Sequence, residues 1–190
     1  MQKSYIISGI LILLSVVLIK QQFNINDKPL ARIEAQEYMN GLKLYNYNEQ
    51  GVLKDFISAV SWKFIPQNRY SVIEQPNITI YKNLDYLYNI TADSGNLMHK
   101  NLNDKIQLIK LRSKVVIKQQ YLDSSKHKSG FTLNTSYLEF NPDTELATTN
   151  QQVTINKTGL LITGTGMHAD LKQNQLELHQ NVATKYNKQN

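Results

Sequence analysis

Lys110, Arg112 and Lys114 alternate along the chain. In an extended strand, side chains two apart share a face, so the three would form a cationic stripe. Such a stripe suits phosphate oxygens; its plainer reading is a solvated strand face. The other reactive residues form no constellation. The four histidines, His99, His127, His168 and His179, are never three or four apart, and no cysteine is present to complete a zinc site. Gly164-Thr165-Gly166-Met167-His168-Ala169 fits G-x-G-x-x-A, but a dinucleotide fingerprint needs a strand before it and a helix after it. Hairpin-like sequence continues here instead, so these glycines read as places of tight turning or close strand approach. Asp93 and Asp170 hold matching places in an internal repeat and read as turn residues rather than as a general acid and base. No Gly-x-Ser-x-Gly elbow is present. The expectation is a chain with no catalytic residues, no metal and no cofactor.

What the chain offers instead is apolar surface at regular spacing. Residues 77–81, Asn-Ile-Thr-Ile-Tyr, alternate and are rich in β-branched and aromatic types. Phe131 and Leu133, and Val153 and Ile155, are each two apart. Turn chemistry falls at residues 48–51, 128–130, 141–143 and 173–174. Beyond the apolar run at residues 5–19 no stretch sustains a 3.6-residue apolar period, so the fold class is mainly β: a sandwich, barrel or jelly roll. Alternation places Leu42, Leu44, Leu53, Ile57, Ile78, Ile80, Leu133, Leu138, Val153 and Ile155 inside. A degenerate repeat has four units, beginning near Ala59, Thr91, Thr135 and Met167. It suggests stacked hairpins, each burying a face on its neighbours. The last hairpin ends in Leu176, Leu178, Val182 and Tyr186. A terminal strand in an open sheet leaves backbone groups unpaired, which makes these residues a candidate docking edge.

The net charge is +6 and the pI about 9.3. Lysines are spread along the chain among acids, with no arginine-rich arm or aromatic RNA-binding motif, so nucleic acid is not an expected partner. A membrane is. Residues 5–19 are an unbroken apolar run with eleven Ile, Leu or Val, bracketed by Lys3 and Lys20. As a helix the run would span about 22 Å of a hydrocarbon core about 30 Å thick, and the lysines can snorkel to both interfaces. The following residues offer no small-x-small cleavage site, which favours an uncleaved anchor over a secretory leader. The expected organisation is an anchor at 1–20, a linker with Pro29 at 21–40, one β domain at 41–186 and a polar tail at 187–190.

In order and spacing, several segments together are similar to the LptC family of lipopolysaccharide export proteins. They are Gly41-Leu42, Tyr47-Asn48-Glu49-Gln50-Gly51-Val52-Leu53, Ile57-Ser58-Ala59, Gln75-Pro76-Asn77-Ile78-Thr79-Ile80-Tyr81, Thr91-Ala92-Asp93-Ser94-Gly95, Asn134-Thr135 to Leu138, Thr148-Thr149 with Val153, and Gly164 through Leu171, with Leu176, Leu178, Val182 and Tyr186 after it. The resemblance covers nearly the whole chain, including the preceding lone helix. It implies an open, twisted antiparallel β jelly roll behind a single N-terminal transmembrane helix, with the lipid's acyl chains carried inside. It adds Ile73 to the interior set. It also implies a single-pass inner-membrane protein with its C-terminal domain in the periplasm. Implied partners are lipopolysaccharide, the LptF/LptG/LptB ABC transporter and an LptA-like bridge protein. Two alternatives remain: a structural envelope-assembly factor tethered to the membrane, and a soluble LptA-like bridge with a cleaved leader. Asp55, where the family more commonly has a bulkier residue, and the polar loop 119–130 depart from the pattern.

Overall fold

Eleven strands and no α-helix make up the residues described in the computed structural model, 37–66, 69–82, 85–100, 105–122 and 129–186. The strands are β1 (Glu37–Tyr47), β2 (Leu53–Ile65), β3 (Tyr70–Glu74), β4 (Asn77–Lys82), β5 (Tyr86–Thr91), β6 (Ser94–His99), β7 (Ile106–Tyr121), β8 (Phe131–Asn141), β9 (Leu146–Lys157), β10 (Leu160–Asp170) and β11 (Gln175–Tyr186). The expected anchor, most of the linker and the 187–190 tail lie outside the described residues. Residues 37–40, expected in the linker, belong to β1, and the compact unit that contains them is Ala35–Asn190. Among the described residues no helix is long and apolar enough to cross a membrane.

Only Gln75 and Pro76 separate β3 from β4, and only Ala92 and Asp93 separate β5 from β6. Each pair is one long strand bent in the middle. With the pairs joined, every long strand is antiparallel to its neighbour in sequence, giving an up-and-down meander from β1 to β11. This is the form taken by the open, twisted β domain that the resemblance implied.

The bends line up as a crease across the sheet. Left-handed backbone marks it at Gly41 (φ 72°), Gln75 (48°), Ser113 (61°), Lys114 (46°), Gly166 (74°) and Asn181 (52°). Along it the Gln75 amide donates to the Asp93 carbonyl at 2.9 Å, and the Asp93 amide to the Ser113 carbonyl at 3.0 Å. Bulges bend a strand and sharpen its twist, and here they fold the meander into two facing layers. Layer one holds the second half of β1, the first half of β2, β4, β5, the second half of β7, the first half of β8, the second half of β9 and the first half of β10. Layer two holds β3, β6 and the complementary halves; β11 starts in layer two and ends in layer one.

The sequence repeat now has a structural meaning. Each of its four units begins and ends near the crease and encloses one hairpin of layer two. The turns follow local chemistry. Asn48 Oδ1 accepts from the amides of Gln50 and Val52, and Asn141 Oδ1 from those of Asp143 and Thr144. Asp170 likewise accepts from the Gln173 amide at 2.8 Å. The Gly164–Gly166 motif lies within β10. A Cβ on Gly166 would sit 2.9 Å from the His179 ring, and one on Gly164 3.0 Å from Leu178, so both glycines allow β11 to close on β10.

Candidate functional site

Two rows of side chains run across the facing layers. In layer one, register pairs Leu44 with Ile57, then Ile78, Ile90, Ile117, Leu133, Ile155 and Ile162 on successive strands from β1 to β10. In layer two, Phe64, Ser71, Leu97, Ile109, Phe140, Ala147, Ala169 and Leu176 form the matching row from β2 to β11. Pleating points every second residue inward, and each long strand between β1 and β11 contributes to both rows; β8 does so through a reset of the alternation at its bend, β9 without one. Of the interior candidates, Leu42, Ile57, Ile73, Ile78, Ile80, Leu133, Leu138, Val153 and Ile155 are buried, while Leu44 and Leu53 are half-buried. Tyr88, Ile90, Leu97, Ile109, Leu111 and Ile117 are equally buried, although the sequence pattern does not single them out. In β7 the inward residues Ile109, Leu111, Val115 and Ile117 keep one phase, but the exposed bulge at Ser113 and Lys114 interrupts the apolar run between the two pairs.

At the β1 end the layers part around a cavity of about 480 Å³. Met39, Leu42, Leu44, Trp62, Leu97 and Ile106 line it, together with Lys54, Lys105, Pro142 and Asp143. The volume falls within the roughly 300–1,000 Å³ common for small-molecule sites. An aromatic corner braces one wall: Trp62 stacks on Phe64 at 6.0 Å, and Phe64 meets the His99 ring edge-on at 5.8 Å. His99 Nε2 lies 3.0 Å from Ser71 Oγ. Asp55 is buried on the same face as Ile57, and burial holds its carboxyl above the usual range. Asn46 answers it, with Nδ2 donating to Asp55 Oδ1 at 2.5 Å.

The cationic stripe is an outer face of β7 with partners from this chain. Lys110 lies 3.2 Å from Glu139 and Lys114 3.3 Å from Asp93. Arg112 donates to Asn96 at 3.1 Å and sits 5.9 Å from the Tyr137 ring centre. A phosphate would have to compete with these contacts. The Tyr137 hydroxyl donates to Glu139 Oε1 at 2.6 Å and, with Lys110, holds that carboxyl below its ordinary value. Burial, then Glu139, pushes the Tyr137 hydroxyl up to about 12. Tyr137→Phe should therefore raise the Glu139 titration midpoint, read from its side-chain carboxyl shift against pH. A carboxyl held low in the folded state stabilises above its unfolded value and loses that contribution as pH falls, so the parent should lose slightly more stability on acidification than the variant. An unmoved midpoint would remove the hydroxyl as the cause.

Both ends of the sheet are open among the described residues. β1 pairs only with β2 and β11 only with β10. On β11, Leu176, Val182 and Tyr186 are exposed and Leu178 is half-buried against the core.

The class so defined is a creased antiparallel β domain with an apolar interior and, among the described residues, two open edges. Residues 5–187 match the family model "Lipopolysaccharide-assembly, LptC-related", and the chain belongs to that family. Membership carries involvement in lipopolysaccharide transport. A solved structure of LptH from Pseudomonas aeruginosa, described as the LptA-homologous periplasmic component of the lipopolysaccharide transport device, superposes with a TM-score of 0.53 at 8% identity, covering 70% of this chain and 95% of that one. At that identity the likeness is one of fold. No curated protein matches the chain.

Proposed function

We propose that this chain is a non-enzymatic, single-pass lipid carrier that accepts lipopolysaccharide from an inner-membrane ABC transporter and passes it to a periplasmic bridge protein. The observation that carries the reading is the apolar cavity, continuous in direction with the two rows, beside the β1 edge, which is open among the described residues. Exposing an acyl chain to water costs about 0.8 kcal/mol per CH₂, so a dozen carbons cost on the order of 10 kcal/mol. A carrier therefore needs apolar walls that accompany the chain throughout. In this reading residues 5–19 hold the domain to the inner membrane, the β1 edge receives the LptF component of the transporter, and β11 receives an LptA-like domain. Backbone pairing at both edges would continue the rows from one domain into the next.

A photo-reactive residue placed at Leu42, inside the cavity, should capture lipopolysaccharide when transporter and ATP are supplied. The same residue at Lys43, on the opposite face of β1, should not. Adducts at Lys43 without adducts at Leu42 would sink the reading.

A further inference from the structure

Two turns of layer two reach across the gap and bond to layer one. Glu145, in the β8–β9 turn, is only 6% exposed. Its carboxylate pairs with Lys82 at the end of β4 and lies 3.7 Å from Lys54 on β2. Lys54 also donates to the Pro142 carbonyl of the same turn at 3.3 Å. In the β10–β11 turn, Asn174 Oδ1 accepts from the Tyr88 hydroxyl at 2.6 Å and from Gln119 Nε2 at 2.9 Å. The turns are also tied to each other, the Leu171 amide donating to the Glu145 carbonyl at 3.0 Å.

We propose that these two turns form one clasp that divides the interior into an open vestibule at the β1 end and a closed compartment toward β11, so that an acyl chain crosses the domain only when the clasp releases. The proposal rests on the lipid-carrier reading. Three observations carry it. Pro142 and Asp143 of the first turn are themselves part of the cavity lining, so the vestibule ends at the clasp. Beyond it, Ile117 and Leu133 are essentially without exposure. Glu145 also holds a left-handed backbone, φ 59°, which a turn by itself would give to glycine or asparagine. The residue suits the contact across the gap better than it suits its own turn. Burial, then nearby Lys54, pulls the Lys82 ammonium below its usual value, with Asp170 opposing the shift.

The sequence contains no cysteine, so an added pair has no competitor. The full-length Gln119→Cys/Asn174→Cys chain in detergent is given purified lipopolysaccharide, with a photo-reactive residue at Leu42 in one sample and at Ile155 in another. Reduced protein should capture lipid at both positions. Oxidised protein should capture it at Leu42 and lose it at Ile155 by at least tenfold. Equal capture at Ile155 in both states overturns the clasp. Failure at both positions in the reduced protein overturns the carrier reading, and the clasp with it. Should the thiols not join, Asn174→Ala serves: capture at Ile155 should accelerate severalfold with Leu42 unchanged, and an unchanged Ile155 rate overturns the proposal.

Discussion

A chain carrying Ile78→Asp is expected not to fold. Ile78 is 1% exposed, in β4, directly between Ile57 of β2 and Ile90 of β5. Truncating a buried isoleucine costs about 2–5 kcal/mol, and an unpaired carboxylate at the same place costs several kcal/mol more. Domains of this size are stable by about 5–15 kcal/mol, so one substitution removes most or all of that margin. Protonation of the new carboxyl would relieve part of the penalty, which makes the loss greatest at neutral pH. Thr79→Asp, one residue along on the other face, is the control and should change stability little. The two variants are compared by thermal melting of the full chain. An Ile78→Asp midpoint within a few degrees of the parent would contradict the assignment of this row to the interior.

The second large effect is expected at the outgoing edge. Successive amides of a strand point to opposite sides. Of Leu176 and Glu177, adjacent in β11 and both exposed, one directs its N–H to β10 and the other to open solvent. Proline removes that N–H. One of the two proline variants should leave the melting temperature nearly unchanged and weaken binding of an LptA-like domain tenfold or more. A lost ladder bond that strands a partner carbonyl costs about 1–3 kcal/mol, and about 1.4 kcal/mol is tenfold. The other variant should lower stability. Binding unchanged in both would place docking away from β11. Proline at Asn181 is not informative, because a left-handed φ of 52° there is closed to proline in any case. Removing residues 172–190 is also a blunt test: it hands the edge to β10 and deletes Asn174 from the contact with Tyr88 and Gln119.

Alternation alone makes part of the interior legible in the sequence. Ile78 and Ile80, Leu133, and Val153 and Ile155 sit on uninterrupted stretches of strand, where period two holds. It fails where the crease resets the phase. In β8 the inward residues are Leu133 and Thr135, then Leu138 and Phe140, a slip of one that erases the period over the full strand. The contacts of Glu145 and Asn174 are illegible for another reason. Their partners Lys82 and Tyr88 lie 63 and 86 residues away, and a glutamate or asparagine in a turn reads as solvated until those partners are placed. The open edge at β11 is legible because the last strand of a meander has a neighbour on one side only. The start of β1 is not, because Glu37, Tyr38 and Asn40 lack an apolar alternation of their own and are recruited by β2.

The crease has a consequence for how such a domain can change over time. The spacing between its layers is set by how sharply each strand bends, and the bend is written in backbone angles at Gly41, Gln75, Ser113, Lys114, Gly166 and Asn181. None of these side chains belongs to the buried apolar set. Aperture and lining are thus encoded by separate residues. Under the proposed carrier reading, substitutions along the fold line would widen or narrow the passage for thicker or thinner cargo while the aliphatic walls stay as they are, and the walls could be repainted without moving the hinge.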